Sequence, residues 1–333
     1  MNKITMDDIA KMAKVSKSTV SRALSHDPRV NVDTREKIAD IARELNYRPH
    51  QVAQALAKKN TNIIGVIIPF APRSVADPFF LEFLQGIGEV AADEGYSLAL
   101  PNIGLDQSGD MITVINRNNV DGVILTEPYL HDFRIEYLTE KEIPFVFLGN
   151  PMSEQDICWV EVDNETGAYQ AVNYLIEAGH RKIATIAGNP EMVSGKYRLE
   201  GYKRALREQG ISINPELIYY ADFTRKGAVQ ATQDLLRNKS KYTAVFAAND
   251  LMAMAVIRTL KEAGVAVPGE VAVLGYDGIQ IGEFIDPPLS TIKLPSIRMG
   301  RVAMTMLSKL IKKEEIEKRQ VSLAPRLLLR SST

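Results

Sequence analysis

Apolar side chains in the first 46 residues recur every three or four positions, the spacing of short amphipathic helices. The pattern predicts three helices, at residues 6–13, 17–24 and 32–45. The positions expected to face a common core are Ile9, Ala10, Ala13, Val20, Ala23, Leu24, Ile38, Ile41, Ala42 and Leu45. Thr5 and Ser16 stand where N-caps are expected. Because only a short connection at Lys14 and Val15 separates the first two helices, residues 1–46 are predicted to form a helix-turn-helix braced by a third helix.

Residues 47–60 differ from the helices before them. The stretch QVAQALAKKN suits a single helix, but one too short to be stable alone in water. Apart from alanines it offers only Val52 and Leu56 for burial. We interpret this segment as a linker that folds only when something holds it.

From Thr61 onward, short apolar runs bounded by Gly or Pro alternate with amphipathic stretches. The runs are IIGVII (63–68), YSLAL (96–100), GVIL (122–125), PFVFL (144–148), KIATIA (182–187), TAVFAA (243–248) and VAVLGY (271–276). Such runs between helices indicate parallel strands covered on both faces. Seven such strands with their intervening helices fit two doubly wound lobes better than a single lobe. Within a body at 61–333, the predicted lobes are about 61–162 with 292–320, and about 163–291 with 321–333.

The charge is unevenly distributed along the chain. Residues 1–60 hold 12 Lys and Arg against 7 Asp and Glu, whereas the rest hold 28 against 34. A basic head on an acidic body suggests a polyanionic partner for the head only.

The composition excludes several other classes of protein. A single cysteine, Cys158, rules out an internal disulfide and a cysteine-rich zinc site. The polar N-terminus lacks the apolar core of a signal peptide, and no apolar run approaches the roughly 18 residues that span a bilayer. A soluble, cytoplasmic protein is expected.

The second predicted helix carries a surface suited to DNA. Its residue Val20 faces the core, which leaves Lys17, Ser18, Ser21 and Arg22 near one outer face. An arginine can grip a guanine edge through two hydrogen bonds, and hydroxyls can contact bases or phosphates. The alternative is an ordinary solvated helix face. The tight turn, the bracing helix and the basic head favour DNA contact.

Two stretches, TMDDIAKMAKVSKSTVSRALS and TREKIADIARELNYRPHQVAQALAKK, resemble the LacI/GalR family of bacterial transcription repressors. The resemblance covers essentially the whole chain, and VSKSTVSRAL is its most specific part. It implies an all-α helix-turn-helix head followed by an α/β body of two doubly wound lobes, like that of periplasmic binding proteins. It also implies that Lys17, Ser18 and Arg22 contact base edges. The residues implied to contact mostly phosphates are Thr5, Ser16, Thr19 and Ser21.

The resemblance further implies that residues 50–59, beginning at His50, become a hinge helix on DNA. Leu56 would then wedge into the minor groove beside its copy from a second subunit, at a cost of a few kcal/mol that added contacts offset. Ala53 and Ala57 flank it and allow two hinge helices to approach closely. Leu56 could instead be a linker residue packed on its own domain. One small head makes few phosphate contacts, so a homodimer that reads a palindromic operator is expected.

Two doubly wound lobes leave a crevice at the carboxyl ends of their strands, where ligands bind. A sugar offers hydroxyls and an apolar ring face, which an Arg, a carboxylate, an amide and an aromatic ring can satisfy. Arg198, Phe223, Asn249 and Asp277 supply that set, and the resemblance supports them. Four further candidates follow strands or lie in adjacent loops, namely Asp77, Phe79, Glu127 and Asn150.

Structural roles compete with these assignments. Asn249 and Asp250 could simply cap a helix, Arg198 could be an ion-pair partner, and Phe79 could pack between lobes. Asn150 stands where many family members have an Arg, although Glu127 could compensate.

Met192 replaces an Arg found in purine-responsive relatives. A neutral sugar or glycoside is therefore the preferred effector, with a phosphosugar or purine as the alternative. Neither the sugar nor the sense of regulation follows from the residues.

The chain lacks patterns for catalysis or a cofactor. Its histidines, His26, His50, His131 and His180, are scattered without metal-ligand spacing. The glycine pair around Ile87 is more typical of helix packing than of a phosphate loop. No enzyme, metal or cofactor is predicted. The competing hypotheses are a sugar-delivery protein of a transporter, which the basic head opposes, and a sugar-converting enzyme using Asp163 and Asp277.

Overall fold

The computed structural model describes residues 4–24, 27–45, 47, 61–68, 78–100, 115, 120–238 and 241–333. The chain divides into two compact units, Met1–Asn62 and Ile63–Thr333, hereafter the head and the body. Within the described residues, no helix is both long and apolar enough to cross a membrane.

The head contains the three predicted helices, with bounds that agree to within one residue. They are α1 (Met6–Ala13), α2 (Lys17–Leu24) and α3 (Val32–Glu44). The hydroxyl and backbone N–H of Thr5 both donate to Asp8 Oδ2, at 2.7 and 2.9 Å, at the start of α1. Lys14 ends that helix with a left-handed φ of 57°. Ser16 Oγ then accepts the N–H of Thr19 at 3.1 Å, which caps α2 as predicted.

The head has its own small core, in which Ile9, Val20 and Ile38 are fully buried. Leu24, Ile41 and Leu45, which were expected to be buried, are only partly so. The remaining buried apolar residues of the head are Ala10, Ala13, Ala23, Val30 and Ala42.

The body is α/β, as predicted. Its strands are β1 (Ile63–Ile67), β2 (Ser97–Ala99), β3 (Gly122–Thr126), β4 (Phe145–Leu148), β5 (Trp159–Val162), β6 (Ile183–Ala187), β7 (Ile218–Tyr220), β8 (Ala244–Ala247), β9 (Ala272–Asp277), β10 (Ser290–Lys293), β11 (Gln320–Leu323) and β12 (Arg326–Leu328). Its α-helices within the described residues are α4 (Pro78–Asp93), α5 (Phe133–Glu140), α6 (Asn164–Glu177), α7 (Val193–Glu208), α8 (Arg225–Arg237), α9 (Asp250–Glu262) and α10 (Ser296–Lys312).

The strands form two six-stranded sheets, one for each lobe. The first has the order β11-β5-β4-β3-β1-β2, and its pairings are all parallel. The second has the order β12-β10-β9-β8-β6-β7, in which only β12 is antiparallel to its neighbour. Strands β3, β6, β8 and β9 are buried along their whole length, because helices cover both faces of each sheet.

The structure moves the expected lobe boundaries a few residues toward the C-terminus. Ser290–Lys293 pairs with β9 in the second sheet, and Gln320–Leu323 pairs with β5 in the first. The chain therefore enters the first lobe after Lys293 and leaves it after Leu323. Both strands mix polar with apolar residues, so the hydrophobic pattern did not mark where they begin and end.

Helices α4 and α10 pack closely on each other in the first lobe. A Cβ added to Gly86 would lie 2.0 Å from the carbonyl oxygen of Ile297, and one added to Gly300 would lie 2.4 Å from that of Phe83. Gly86 is thus the close helix-packing residue that the sequence suggested.

Candidate functional sites

The outer face of α2 is polar and accessible, and its inner face is buried in the head. Lys17, Ser18 and Arg22 are exposed, and Ser21 is half-buried. Val20, on the opposite side, is fully buried. Ser18 and Arg22 are four residues apart and therefore lie above one another on the same face. The sequence analysis predicted this division between a polar outer face and a buried inner one.

Hydroxyl groups cluster at the first turn of α2. Ser16 Oγ lies 2.8 Å from Ser18 Oγ and 2.8 Å from Thr19 Oγ1. The first turn of a helix also presents unpaired backbone N–H groups, which attract anions. These hydroxyls and N–H groups together offer donors of the kind that hold DNA phosphates.

Lys17 forms an exposed ion pair, with its Nζ 2.7 Å from Asp7 Oδ2. The hydrogen bond to Asp7 raises the pKa of Lys17, so the lysine stays charged. Exposed pairs of this kind contribute little to stability. Lys17 can therefore exchange Asp7 for another anion at small cost. Arg22 makes no ion pair with the described residues.

Five predicted site residues lie outside the described residues. They are His50, Ala53, Leu56 and Ala57 of the predicted hinge, and Asp77 of the predicted effector site.

In the body, a cleft opens at the carboxyl ends of the strands, where the sequence analysis expected a ligand site. Its described lining comes from both lobes. The lining residues are Phe79, Phe80, Phe83, Thr126, Glu127, Pro128, Leu148, Gly149, Asn150, Glu161, Val162, Asn164, Val193, Ser194, Arg198, Leu294 and Met299. Of the predicted effector residues, Phe79, Glu127, Asn150 and Arg198 are therefore brought together.

Arg198 is the centre of the polar network in this cleft. Its guanidinium is buried, and Nη1 donates to the carbonyl of Ala248 at 2.6 Å and to Asp277 Oδ1 at 3.1 Å. Nε donates to Asn164 Oδ1 at 2.8 Å. The guanidinium carbon lies 3.8 Å from the centre of the Tyr276 ring, a cation–π contact.

These contacts leave one terminal nitrogen of Arg198 available. Within the described part of the chain, Nη2 makes no hydrogen bond. Since the other nitrogens are fixed and the ring of Tyr276 supports the plane, Nη2 is a preorganised donor at the wall of the cleft.

Phenylalanines at the start of α4 form an apolar wall. Phe79, Phe80 and Phe83 are all at least 95% buried. Phe79 and Phe83 meet edge to face, with ring centres 4.6 Å apart and planes at 80°. A wall of this kind can cover the apolar face of a sugar ring, while polar groups elsewhere take the hydroxyls.

Two carboxyl groups line the first lobe's side of the cleft. Ser194 Oγ donates to Glu127 Oε2 at 3.4 Å across the two lobes. Asn150 Nδ2 donates to Glu161 Oε1 at 3.5 Å. Burial raises the pKa of Glu161 to about 7, an effect that the hydrogen bonds from Asn150 oppose only in part.

Phe223, Asn249 and Asp277 occupy a second layer behind Arg198. Phe223 is fully buried under Gly188, where an added Cβ would lie 2.1 Å from its Cζ. Asn249 is also fully buried; its Oδ1 accepts the N–H of Met252 at 2.9 Å and so caps α9. Asp277 accepts a hydrogen bond from Arg198 and is not among the described residues that line the cleft. Direct contact between these three residues and a ligand stays a prediction.

The sequence analysis missed three residues of this network. Asn164 follows β5 and carried a signal, since polar residues that follow a strand at this edge were already candidates, whereas Glu161 lies within the strand. Tyr276 precedes Asp277 within a buried strand. The hydrophobic pattern predicts that strand, but it does not predict that the Tyr276 ring lies beneath Arg198.

No cluster of three or more potential metal ligands occurs among the described residues.

Comparisons with known proteins found one family match in the head and another in the body. Residues 5–50 match the model for bacterial regulatory proteins of the lacI family, and residues 172–333 match a periplasmic binding protein-like domain. The HTH-type transcriptional repressor CytR of Escherichia coli K12 is 36% identical over 99% of this chain and 96% of its own length.

Two solved structures extend the similarity to the whole chain. One is a complex of the transcriptional regulator CelR with cellobiose, at 33% identity and a TM-score of 0.76 over 99% of this chain and 100% of the other. The other is the lac repressor dimer bound to operator and the anti-inducer ONPF, at 28% identity and a TM-score of 0.87 over 99% of both chains. The chain therefore belongs to the LacI family of bacterial transcriptional regulators.

Proposed function

We propose that this regulator represses a carbohydrate-utilisation operon, binds a palindromic operator as a homodimer, and is controlled by a neutral sugar or glycoside in the cleft. The observation that carries the proposal is the pairing of an exposed, hydroxyl-rich and basic α2 face with a cleft between the lobes that is organised around Arg198. The CelR complex with cellobiose and the operator-bound lac repressor support it by similarity.

On the DNA side, Lys17, Ser18 and Arg22 read base edges in the major groove. Thr5, Ser16, Thr19 and Ser21 hold phosphates. Arg22 is the strongest candidate for sequence discrimination, because an exposed arginine with no ion pair among the described residues can grip a guanine through two bonds.

In the cleft, the polar side chains suit a ligand with many hydroxyl groups better than a ligand with a negative charge. Glu127, Glu161 and Asn150 accept hydrogen bonds from sugar hydroxyls, and Arg198 Nη2 donates one. Glu127 and Glu161 lie at one wall, where a carboxylate repels a phosphate, and the one cation among the described lining residues, Arg198, already pairs with Asp277. This supports the neutral sugar over the phosphosugar or purine.

The ligand controls operator binding because residues of both lobes bind the same molecule. Glu127 belongs to the first lobe and Ser194 to the second, so a sugar held by both would fix the angle between lobes. That angle shifts the population able to bind operator, by no more than the ligand's differential affinity for the two states.

A thermal-shift scan against neutral mono- and disaccharides, phosphosugars and purines tests the ligand class. A sugar at about one hundred times its Kd should add roughly 2.7 kcal/mol and raise the Tm by a few degrees. Glu127→Gln should weaken that shift, whereas Glu140→Gln, an exposed change on α5, should leave it intact. A response confined to phosphosugars or purines would contradict the neutral-sugar proposal but not the repressor.

A search for bound sequences in a random DNA pool tests the repressor itself. A palindromic consensus is expected. A protein that recovers no preferred sequence, while still binding sugar, would be the sugar-delivery protein considered from the sequence.

A further inference from the structure

The second lobe contains another pocket, at the amino-terminal edge of its sheet and therefore opposite the cleft. Its volume is about 250 Å³. The floor is apolar and comes from β6, α7 and the loop that follows α7. The lining residues are Arg181, Lys182, Ile183, Tyr202, Leu206, Ile211, Ser212, Asn214, Leu217 and Lys241.

The charges at this pocket all have one sign. Arg181, Lys182 and Lys241 stand at its rim, and none of its described lining residues is acidic. Neither lysine forms an ion pair with another described residue. Three cations around one concavity repel one another, and an anion bound among them removes that repulsion.

Arg181 is already positioned for such an anion. Its Nη1 donates to the carbonyl of Ile176, in the last turn of α6, at 2.7 Å and to that of His180, just beyond the helix, at 3.2 Å. This anchoring limits the freedom that the guanidinium would lose on binding and leaves its other nitrogens available. Ser212 adds a hydroxyl and Asn214 an amide at the same rim.

We propose that this pocket binds a phosphate monoester of a small organic molecule. The three cations and the hydroxyl suit the dianionic phosphate, and the apolar floor of Ile183, Leu206 and Leu217 suits the organic part. A concave pocket with apolar side chains at its floor fits a small molecule, whereas an acidic protein segment or nucleic acid would be better matched by a long basic stripe.

The pocket and the cleft are joined by one helix. Arg198, Tyr202 and Leu206 are spaced by four residues on α7 and share one face, with Arg198 in the cleft and the other two at the pocket. The separation along the helix axis is about 12 Å from Arg198 to Leu206. Tyr202 is held by a 2.8 Å hydrogen bond from its hydroxyl to the carbonyl of Ile183. A molecule in the pocket would therefore contact the same helix that positions Arg198 at the wall of the cleft.

The binding test uses isothermal titration of the full-length protein with glucose 6-phosphate and with AMP. Glucose, adenosine and inorganic phosphate serve as matched probes that lack one part of each ester. We expect at least one ester to bind, more tightly than its parts, and the K182Q/K241Q double variant to bind it at least tenfold more weakly. The control is K141Q/K318Q, which removes two exposed lysines of the first lobe and should bind normally.

Four results would overturn the proposal. They are no binding of either ester, unchanged affinity in K182Q/K241Q, an equal loss in the control, or inorganic phosphate binding as tightly as the ester. Binding of an acidic polypeptide such as polyglutamate, without binding of either ester, would assign the surface to a macromolecule and also reject the proposal.

A second arm separates this pocket from the cleft. Glu127→Gln should leave the affinity for the ester unchanged, and K182Q/K241Q should still bind a neutral sugar. Loss of ester binding in Glu127→Gln would place the ester in the cleft and overturn the second site.

Coupling between the two sites through α7 rests on the proposed function of the cleft. It predicts that a saturating concentration of the ester changes the affinity for the sugar. An unchanged sugar affinity would refute the coupling.

Discussion

Replacing Arg198 with methionine should destabilise the body even when no ligand is present. The substitution puts a shorter, apolar side chain in place of the guanidinium and removes three hydrogen bonds, including the ion pair with Asp277. The Asp277 side chain is only 1% exposed, so it would be left as a buried charge without its arginine. Breaking a buried ion pair by removing one partner costs about 3–5 kcal/mol.

A control on the same helix separates this effect from the loss of any arginine. Arg204 also pairs with carboxylates, at 2.8 Å from Glu208 and 3.5 Å from Glu165, but its side chain is 43% exposed. Since exposed pairs contribute little, Arg204→Met should change the free energy of unfolding by less than about 1 kcal/mol.

Urea-induced unfolding of both variants and the wild type, followed by tryptophan fluorescence and circular dichroism, gives the comparison. Adding Asp277→Asn to Arg198→Met should recover part of the loss, because the buried carboxylate that Arg198 no longer balances is then neutral. If Arg198→Met proves as stable as the wild type, Arg198 does not organise the cleft as described, and its contacts are incidental.

Three further changes test other parts of the account. Arg22→Ala should cost about 1–3 kcal/mol of discrimination between operator and random DNA, measured by fluorescence anisotropy; equal losses on both would contradict base reading. Glu161 has a folded pKa raised to about 7, above its unfolded value, so its contribution to stability is present at acidic pH and disappears as the pH rises toward 7. Glu161→Gln should flatten that decline in urea unfolding between pH 5 and 8, and an unaltered pH profile would count against the raised pKa. Gly86→Ala should destabilise by about 1–3 kcal/mol, because the new methyl group meets a backbone carbonyl of α10, whereas Gly88→Ala, with no neighbour closer than 3.9 Å, should be neutral or stabilising; equal Tm values would refute the packing argument.

The helices of the head could be predicted almost residue by residue, since each carries its own apolar stripe and cap. Ser16 is an example, because its role as N-cap depends only on its local neighbours. The long central strands could also be predicted, because each is a continuous run rich in Val and Ile. The strands β7, β10, β11 and β12 could not be predicted in this way, because their short, mixed sequences become strands only through a neighbour that is distant in the chain.

The location of the cleft could be predicted from the sequence, but the contacts among its side chains could not. Phe223 and Asn249 were predicted to contact the ligand; both are fully buried in this structure, and their contact with a ligand stays a prediction. Which polar residue faces a ligand and which supports another residue depends on packing between α7, β8 and β9. The sequence places Arg198 in the helical stretch after β6, but it does not show that Tyr276 lies beneath the guanidinium.

The most direct test of the central claim measures operator binding and sugar binding together. The full-length protein would be titrated onto its selected palindromic DNA, with and without a saturating neutral sugar found in the thermal-shift scan. The account predicts that the sugar changes the operator affinity at least fivefold, and that Glu127→Gln requires a higher sugar concentration to produce the same change. An operator affinity unchanged by every sugar that binds the cleft would contradict the claim that the cleft controls the DNA-binding head.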